Sequence, residues 1–252
     1  MLCRQAIAND SVLLSVESAS LPEMAAISNV KLKKQTFFDF LTPIVDTINK
    51  KIQIERAWLK VIQADIEADH ELNIWQQQLL NELAIRYKVN EEPGSPEFFQ
   101  ALFFRVDVLP ASLVLAQAAN ESAWGTSRFA VEGNNLFGQW CFIQGCGLVP
   151  SGRDSDARHE VKVFDSVADS VKSYFQNINT HPQYQSLRAM RAEFRALQEP
   201  LDSTYLAWGL EGYSIRGEYY VRELINMINH NQLQGRDQPA YYAKKAIKVA
   251  VD

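Results

Sequence analysis

The sequence predicts a mainly helical protein, of α+β class, with one small β insertion, and three observations predict it. The eleven glycines are unevenly placed: none precedes Gly94, six fall between Gly125 and Gly152, and three between Gly209 and Gly217. Glycine serves tight turns and weakens helix interiors, so the first ninety residues read as a leader plus long helices and 125–152 as a turn-rich lobe. Apolar residues recur at helical spacing on both sides of that lobe. Convincing strand patterns are confined to residues 137–165.

In chain order, residues 1–30 lack sustained periodicity and read as a flexible N-terminal arm. From Lys33, the positions Phe37, Phe40, Leu41, Ile44, Val45, Ile48 and Ile52 follow a helical face, with Pro43 expected to kink or split it. The pattern resumes through Trp58, Leu59 and Ile62, then through Leu72, Trp75, Leu79, Leu83 and Tyr87, giving a helical hairpin extension over 31–90. Glu92-Pro93-Gly94 breaks the chain, and Ser95-Pro96 supplies an N-cap followed by proline at the first helical position. A further helix runs from Pro110 to about Ala123. The strand segments are Leu136 to Ile143 and His159 to Phe164, joined by a Gly- and Asp-rich loop into a β-hairpin lobe. Helical spacing returns in Val167 to Ile178, Pro182 to Leu197 and Glu218 to Asn229, so the domain spans 91–236. The tail, 237–252, carries no pattern.

The chain has 252 residues and a net charge of −5, which argues against duplex nucleic acid as a partner. No apolar run approaches the length of a transmembrane helix, and Val12-Leu13-Leu14 is too short for a secretory core, so no export leader is visible. Cys141 and Cys146 flank Gly145 at a spacing that a hairpin-closing disulfide fits; three buried thiols, with Cys3, are the alternative. A bridge would favour an oxidising compartment. His159-Glu160 and His70-Glu71 begin like a zinc-protease motif, but Val163 and Ile74 stand where its second histidine belongs. With four scattered histidines no metal site is expected, and no nucleophile elbow, P-loop or dinucleotide fingerprint occurs.

The informative stretch is LPASLVLAQAANESAWGTSRFAVEGNNLFGQW, residues 109–140. At helical spacing Glu121 stacks with Val114, Gln117 and Ala118, on the apolar face of its helix and in its last turn before Gly125, a plausible C-cap. Burial and the negative end of the helix dipole both disfavour the carboxylate, as a general acid working near neutral pH requires. A surface glutamate capping Ser122 or Ser127 is the plainer reading of the same spacing.

Glu121-Ser122-Ala123-Trp124-Gly125 and Asn134-Asn135-Leu136-Phe137-Gly138 resemble the glucosaminidase family of peptidoglycan hydrolases, glycoside hydrolase family 73. NNLFGQWCF, GCGLVP, HEVKVFDS, NTHPQY and GYSIRGEYYVREL are most similar to its Bax-type bacterial subgroup, and the resemblance covers about residues 31–235. It implies a lysozyme-like fold with an α-lobe and a small β-lobe flanking a glycan groove, and a cell-envelope, periplasmic site of action. The family's general acid falls on Glu121. Ala123 stands where the family often has glycine, which looks harmless in a helix's last turn.

Glycoside hydrolysis by the common routes needs a second carboxylate. Asp154, Asp156, Glu160 and Asp165 are available; Glu160 is favoured, because its strand alternates, with Val161 and Val163 on one face and Glu160 and Lys162 on the other. The family's β-lobe glutamate resembles Glu160, and a substrate-assisted route is the alternative. Tyr213 resembles the family's cleft tyrosine. Asn134, Asn135 and Gln139 could read sugar polar groups, and Phe137 and Trp140 could offer flat faces to sugar rings, with Trp140 the better placed and Trp124 more a core residue. The expected activity is endo-β-N-acetylglucosaminidase on β-1,4 bonds of peptidoglycan or related glycans. No cofactor is implied, and glycan strands are the expected partner. A muramidase or lytic transglycosylase, or a non-catalytic glycan-binding or scaffolding module, are the alternatives.

Overall fold

The computed structural model describes residues 19–153 and 158–237. Expectations placed on Cys3, on residues 1–18 of the arm, on Asp154 and Asp156, and on residues 238–252 of the tail lie outside the described residues. The helices are α1 (Val30–Glu67), α2 (Ile74–Tyr87), α3 (Pro96–Arg105), α4 (Ala111–Glu121), α5 (Arg128–Gly133), α6 (Val167–Thr180), α7 (Gln185–Leu197), α8 (Ser203–Leu206) and α9 (Glu218–His230). The strands β1 (Trp140–Cys141), β2 (Gly147–Leu148) and β3 (Glu160–Lys162) form one small sheet. This is the mainly helical, α+β architecture expected of a lysozyme-like domain.

Pro43 neither splits nor ends α1, which continues for 38 residues. The apolar stripe Phe37, Leu41, Ile44, Val45, Ile48, Ile52, Leu59 and Ile62 is buried on both sides of the proline, so packing overrides the missing N–H. Next to it, Thr42 Oγ1 donates to the Phe38 carbonyl at 2.7 Å.

The described residues form two compact units. One takes in the chain up to Thr47 with Val114–Tyr174, the other Ile48–Leu113 with the chain from Phe175. The boundary at Thr47 falls inside α1.

In the first unit, Met24–Ala26 within the expected arm forms a 3-10 turn, and Met24 is buried against Gly125. The expected two-stranded hairpin is a three-stranded antiparallel sheet with β3 in the centre, pairing Trp140 and Leu148 both with Val161. Gly147 makes this possible, because a Cβ there would lie 2.1 Å from the Val161 carbonyl oxygen.

In the second unit, Ser95 caps α3 as expected, its Oγ accepting the Phe98 N–H at 3.1 Å. Asn49 and Leu109 exchange two buried hydrogen bonds, at 2.8 and 3.1 Å. Asp107 is buried among Arg56, Arg191 and Arg195. Burial alone would raise its carboxyl, but Arg56, Arg195 and Arg191 outweigh burial and hold it well below the usual range.

Candidate active site

Ala111 to Ala119 is buried on every side, so α4 has no wet face. The helix meets solvent only at its end, where Asn120 and Glu121 are the first half-buried residues. Gln117, wholly buried one turn before Glu121, accepts a hydrogen bond from the Tyr174 hydroxyl. Glu121 is therefore presented by the helix terminus and not, as periodicity suggests, by an amphipathic face.

Shortly after Glu121 the backbone turns left-handed for three residues: Ala123, Trp124 and Gly125 have φ of 50°, 61° and 76°. Side chains there cost about 1–2 kcal/mol each outside glycine. Several contacts hold the run in place. Ser122 Oγ donates to the Ala118 carbonyl at 2.6 Å and accepts the Gly125 N–H at 2.8 Å. Trp124 packs edge-on against Phe37 and Phe38, with Lys34 Nζ 5.0 Å from its ring centroid. A Cβ on Gly125 would come within 3.1 Å of Met24 and 3.3 Å of Phe37. Ala123 is thus not in the last helical turn, and an alanine there is strained where a glycine would not be.

The β-lobe is organised by a disulfide, Cys141–Cys146, and by Glu160 beneath it. Glu160 is 6% exposed, and its two carboxylate oxygens accept the N–H groups of Gly145 at 3.0 Å and Gly147 at 2.8 Å. Those backbone hydrogen bonds, from Gly145 first and then Gly147, pull its pKa below the ordinary value. The expected alternation fails: Glu160 and Val161 are both buried, while Lys162 and Val163 are exposed. The strand ends at Lys162, and the disulfide loop covers the face that Glu160 occupies. Asp165 is exposed.

The residues offered as sugar readers separate into two groups. Asn135 is 1% exposed and fully used: its oxygen accepts from Phe137 and Gln139, and its nitrogen donates to the carbonyls of Gln139 and Lys162. It ties the turn to β3 and has nothing left for a ligand. Asn134 is the left-handed cap of α5, donating to the Phe164 carbonyl at 3.0 Å. Phe137 is 2% exposed and stacked on Tyr174, so it is a core residue and not a sugar platform. Gln139 bonds the Ser170 carbonyl and the Ser173 hydroxyl and stays half-buried. Trp140 is 58% exposed, its ring stacked on His159 at 4.0 Å, a partner that the sequence did not single out. Neighbouring Phe142 and Ile143 are also exposed.

Glu121, Glu160 and the residues from Asn134 to Trp140 all belong to the first unit, and Tyr213 to the second. Tyr213 is half-buried at the end of a 3-10 turn, stacked on buried Tyr220 with its ring 6.0 Å from Tyr184. No helix among the described residues is long and apolar enough to cross a membrane.

The family model of glucosaminidase, described as mannosyl-glycoprotein endo-β-N-acetylglucosaminidase, matches residues 97–233. Protein bax of Escherichia coli (strain K12) is 34% identical over 222 residues, covering 86% of this chain and 77% of that protein. No solved structure matches. A buried helix that delivers one glutamate at its tip, a small disulfide-closed sheet and a family match over more than half of the sequence agree, and the chain belongs to the glucosaminidase family.

Proposed function

We propose that the protein is an endo-β-N-acetylglucosaminidase that cleaves the β-1,4 bond after N-acetylglucosamine in peptidoglycan, with Glu121 as general acid. The observation that carries this reading is the placement of Glu121, half-buried at the carbonyl end of a fully buried helix and followed by a strained, tightly held turn. Strain that the surroundings maintain tends to gather at functional sites. In this reading the Glu121 carboxyl, at the carbonyl end of its helix where the dipole disfavours a negative charge, gives its proton to the glycosidic oxygen. As the C1–O bond breaks, its electron pair stays with that oxygen, and water adds to C1 and gives up a proton.

Glu160, held ionised by two backbone N–H groups, makes a weak base at neutral pH. Its role in this proposal is to hold the disulfide loop and supply fixed negative charge to an oxocarbenium-like centre, while the sugar's acetamido oxygen takes the nucleophile's part. Trp140 offers its exposed ring to a sugar, and Gln139 its remaining amide groups. The disulfide supports an oxidising compartment such as the periplasm, where the substrate lies.

Mass spectrometry of muropeptides from purified sacculi tests the reading. The expected product ends in reducing N-acetylglucosamine. Reducing N-acetylmuramic acid would make the protein a muramidase, its anhydro form a lytic transglycosylase, and sacculi bound but left uncut a binding module.

A further inference from the structure

Arg188, Arg191 and Arg195 succeed one another along α7 at spacings of three and four, so they share one helix face. With Arg56 and Arg105 they line a cavity of about 880 Å³ in the second unit. None of the residues proposed for glycan cleavage lines it. Three carboxylates belong to the same lining: buried Asp107, and Glu91 and Glu97 on the exposed side.

Asp107 accounts for three of the arginines. Arg195 grips it through Nε and Nη2 at 3.0 and 2.8 Å, and Arg56 and Arg191 stand at 3.7 and 3.8 Å. Arg188 is different. It is 3% exposed and, among the described residues, donates from Nη1 to the carbonyls of Ile178 at 2.8 Å and His181 at 2.9 Å. Its Nε is buried with no acceptor, and Phe104 lies beneath its guanidinium at 5.6 Å. Burial, and then the like charge of Arg105, push it down to about 10. A buried cation without an anion is costly, and among the described residues no carboxylate pairs with this guanidinium; its Nη2, unlike its Nε, is not a sealed, unsatisfied atom and is the donor left for an oxyanion.

We propose that this cavity binds a small oxyanion ligand, a carboxylate or phosphate group that completes the charge of Arg188. The cavity volume suits a metabolite and not a polymer. The inference is independent of the glycosidase reading.

Thermal unfolding of the full chain, titrated with inorganic phosphate, with succinate and with chloride at constant ionic strength, tests it. The expected result is a saturable rise in midpoint with phosphate, succinate or both, half-complete at about 1 mM, and none with chloride. Phosphate alone assigns a phosphorylated ligand, succinate alone a carboxylate one, and both assign a site for either. Arg188→Gln is expected to raise the half-saturating concentration at least about tenfold. Because Arg188 also ties two carbonyls, Ala192→Glu serves as the second variant. This exposed position on α7 lines the cavity four residues from Arg188, and a carboxylate there supplies the missing anion and abolishes the response in a folded protein. No saturable response to either probe, or a response unchanged in Ala192→Glu, overturns the proposal.

Discussion

Glu121 and Glu160 lie in the same compact unit on opposite kinds of ground. Glu121 ends a helix, whose carbonyl end disfavours a negative charge. Glu160 begins β3 and faces a loop whose N–H groups point at its oxygens, and these favour the charged form. Where two carboxyls have environments that push their pKa values apart, one is suited to hold a proton and the other a charge. The proposed roles of acid and anion rest on that contrast and not on the order of the residues in the chain.

The largest expected effect breaks the first half of that contrast. Glu121→Gln keeps the shape and removes the transferable proton. Turnover of peptidoglycan is expected to fall about 10²–10⁴-fold, with sacculus binding and thermal midpoint nearly unchanged. Hydrolysis at the wild-type rate would remove Glu121 from the mechanism.

A smaller effect is expected from Glu160→Gln. The amide oxygen can accept one of the Gly145 and Gly147 N–H groups, but the amide nitrogen cannot accept the other. The loop loosens, and a misplacement of this kind costs up to about 100-fold. A purely structural role would lower only the thermal midpoint; the proposed one also lowers kcat at constant KM, measured well below the midpoint. The pH dependence has a definite sign. The folded pKa lies below the unfolded one, so the stabilisation by Glu160 is complete above about pH 4–5 and is lost as pH falls through the lowered value. Thermal midpoints in acid are therefore expected to converge between wild type and variant; a gap that persists unchanged to low pH would remove ionisation from the explanation.

The two carboxyls were not equally legible in the sequence. Glu121 stands out because a glutamate interrupts an otherwise apolar helix just before a glycine, a local pattern. Its helix and those led by Ser95 and Val167 are readable because spacing and caps are local too. The surroundings of Glu160 are not. Strands of two or three residues carry almost no alternation, and this sheet is fixed by a disulfide, by Asn135 and by the close approach of Gly147, none of which is a periodic signal. Phe137 looked like a platform because nothing local announces that Tyr174 stacks on it. The three-four spacing of Arg188, Arg191 and Arg195 is visible in the sequence, but Arg191 finds Asp107 across 84 residues, and only the fold shows that Arg188 pairs with no acid among the described residues.

The smallest effect sharpens the comparison from the turn just beyond Glu121. Ala123 holds φ at 50° in a run whose geometry is fixed on both sides, by Ser122 and by the packing of Trp124 and Gly125. Its side chain is exposed, so Ala123→Gly gives up no buried surface. Glycine removes the left-handed penalty but adds freedom to the unfolded chain, and where φ is positive the first term wins. The variant is expected to gain up to about 1 kcal/mol in stability, read as a higher denaturant midpoint at constant slope. Activity is the sharper measure. If the strained turn only joins two helices, relief leaves kcat unchanged. If strain at Ala123 helps to aim Glu121, the more stable variant is the slower enzyme, and the Glu160→Gln background retains the same proportional loss, because the two carboxyls are held by separate pieces of backbone.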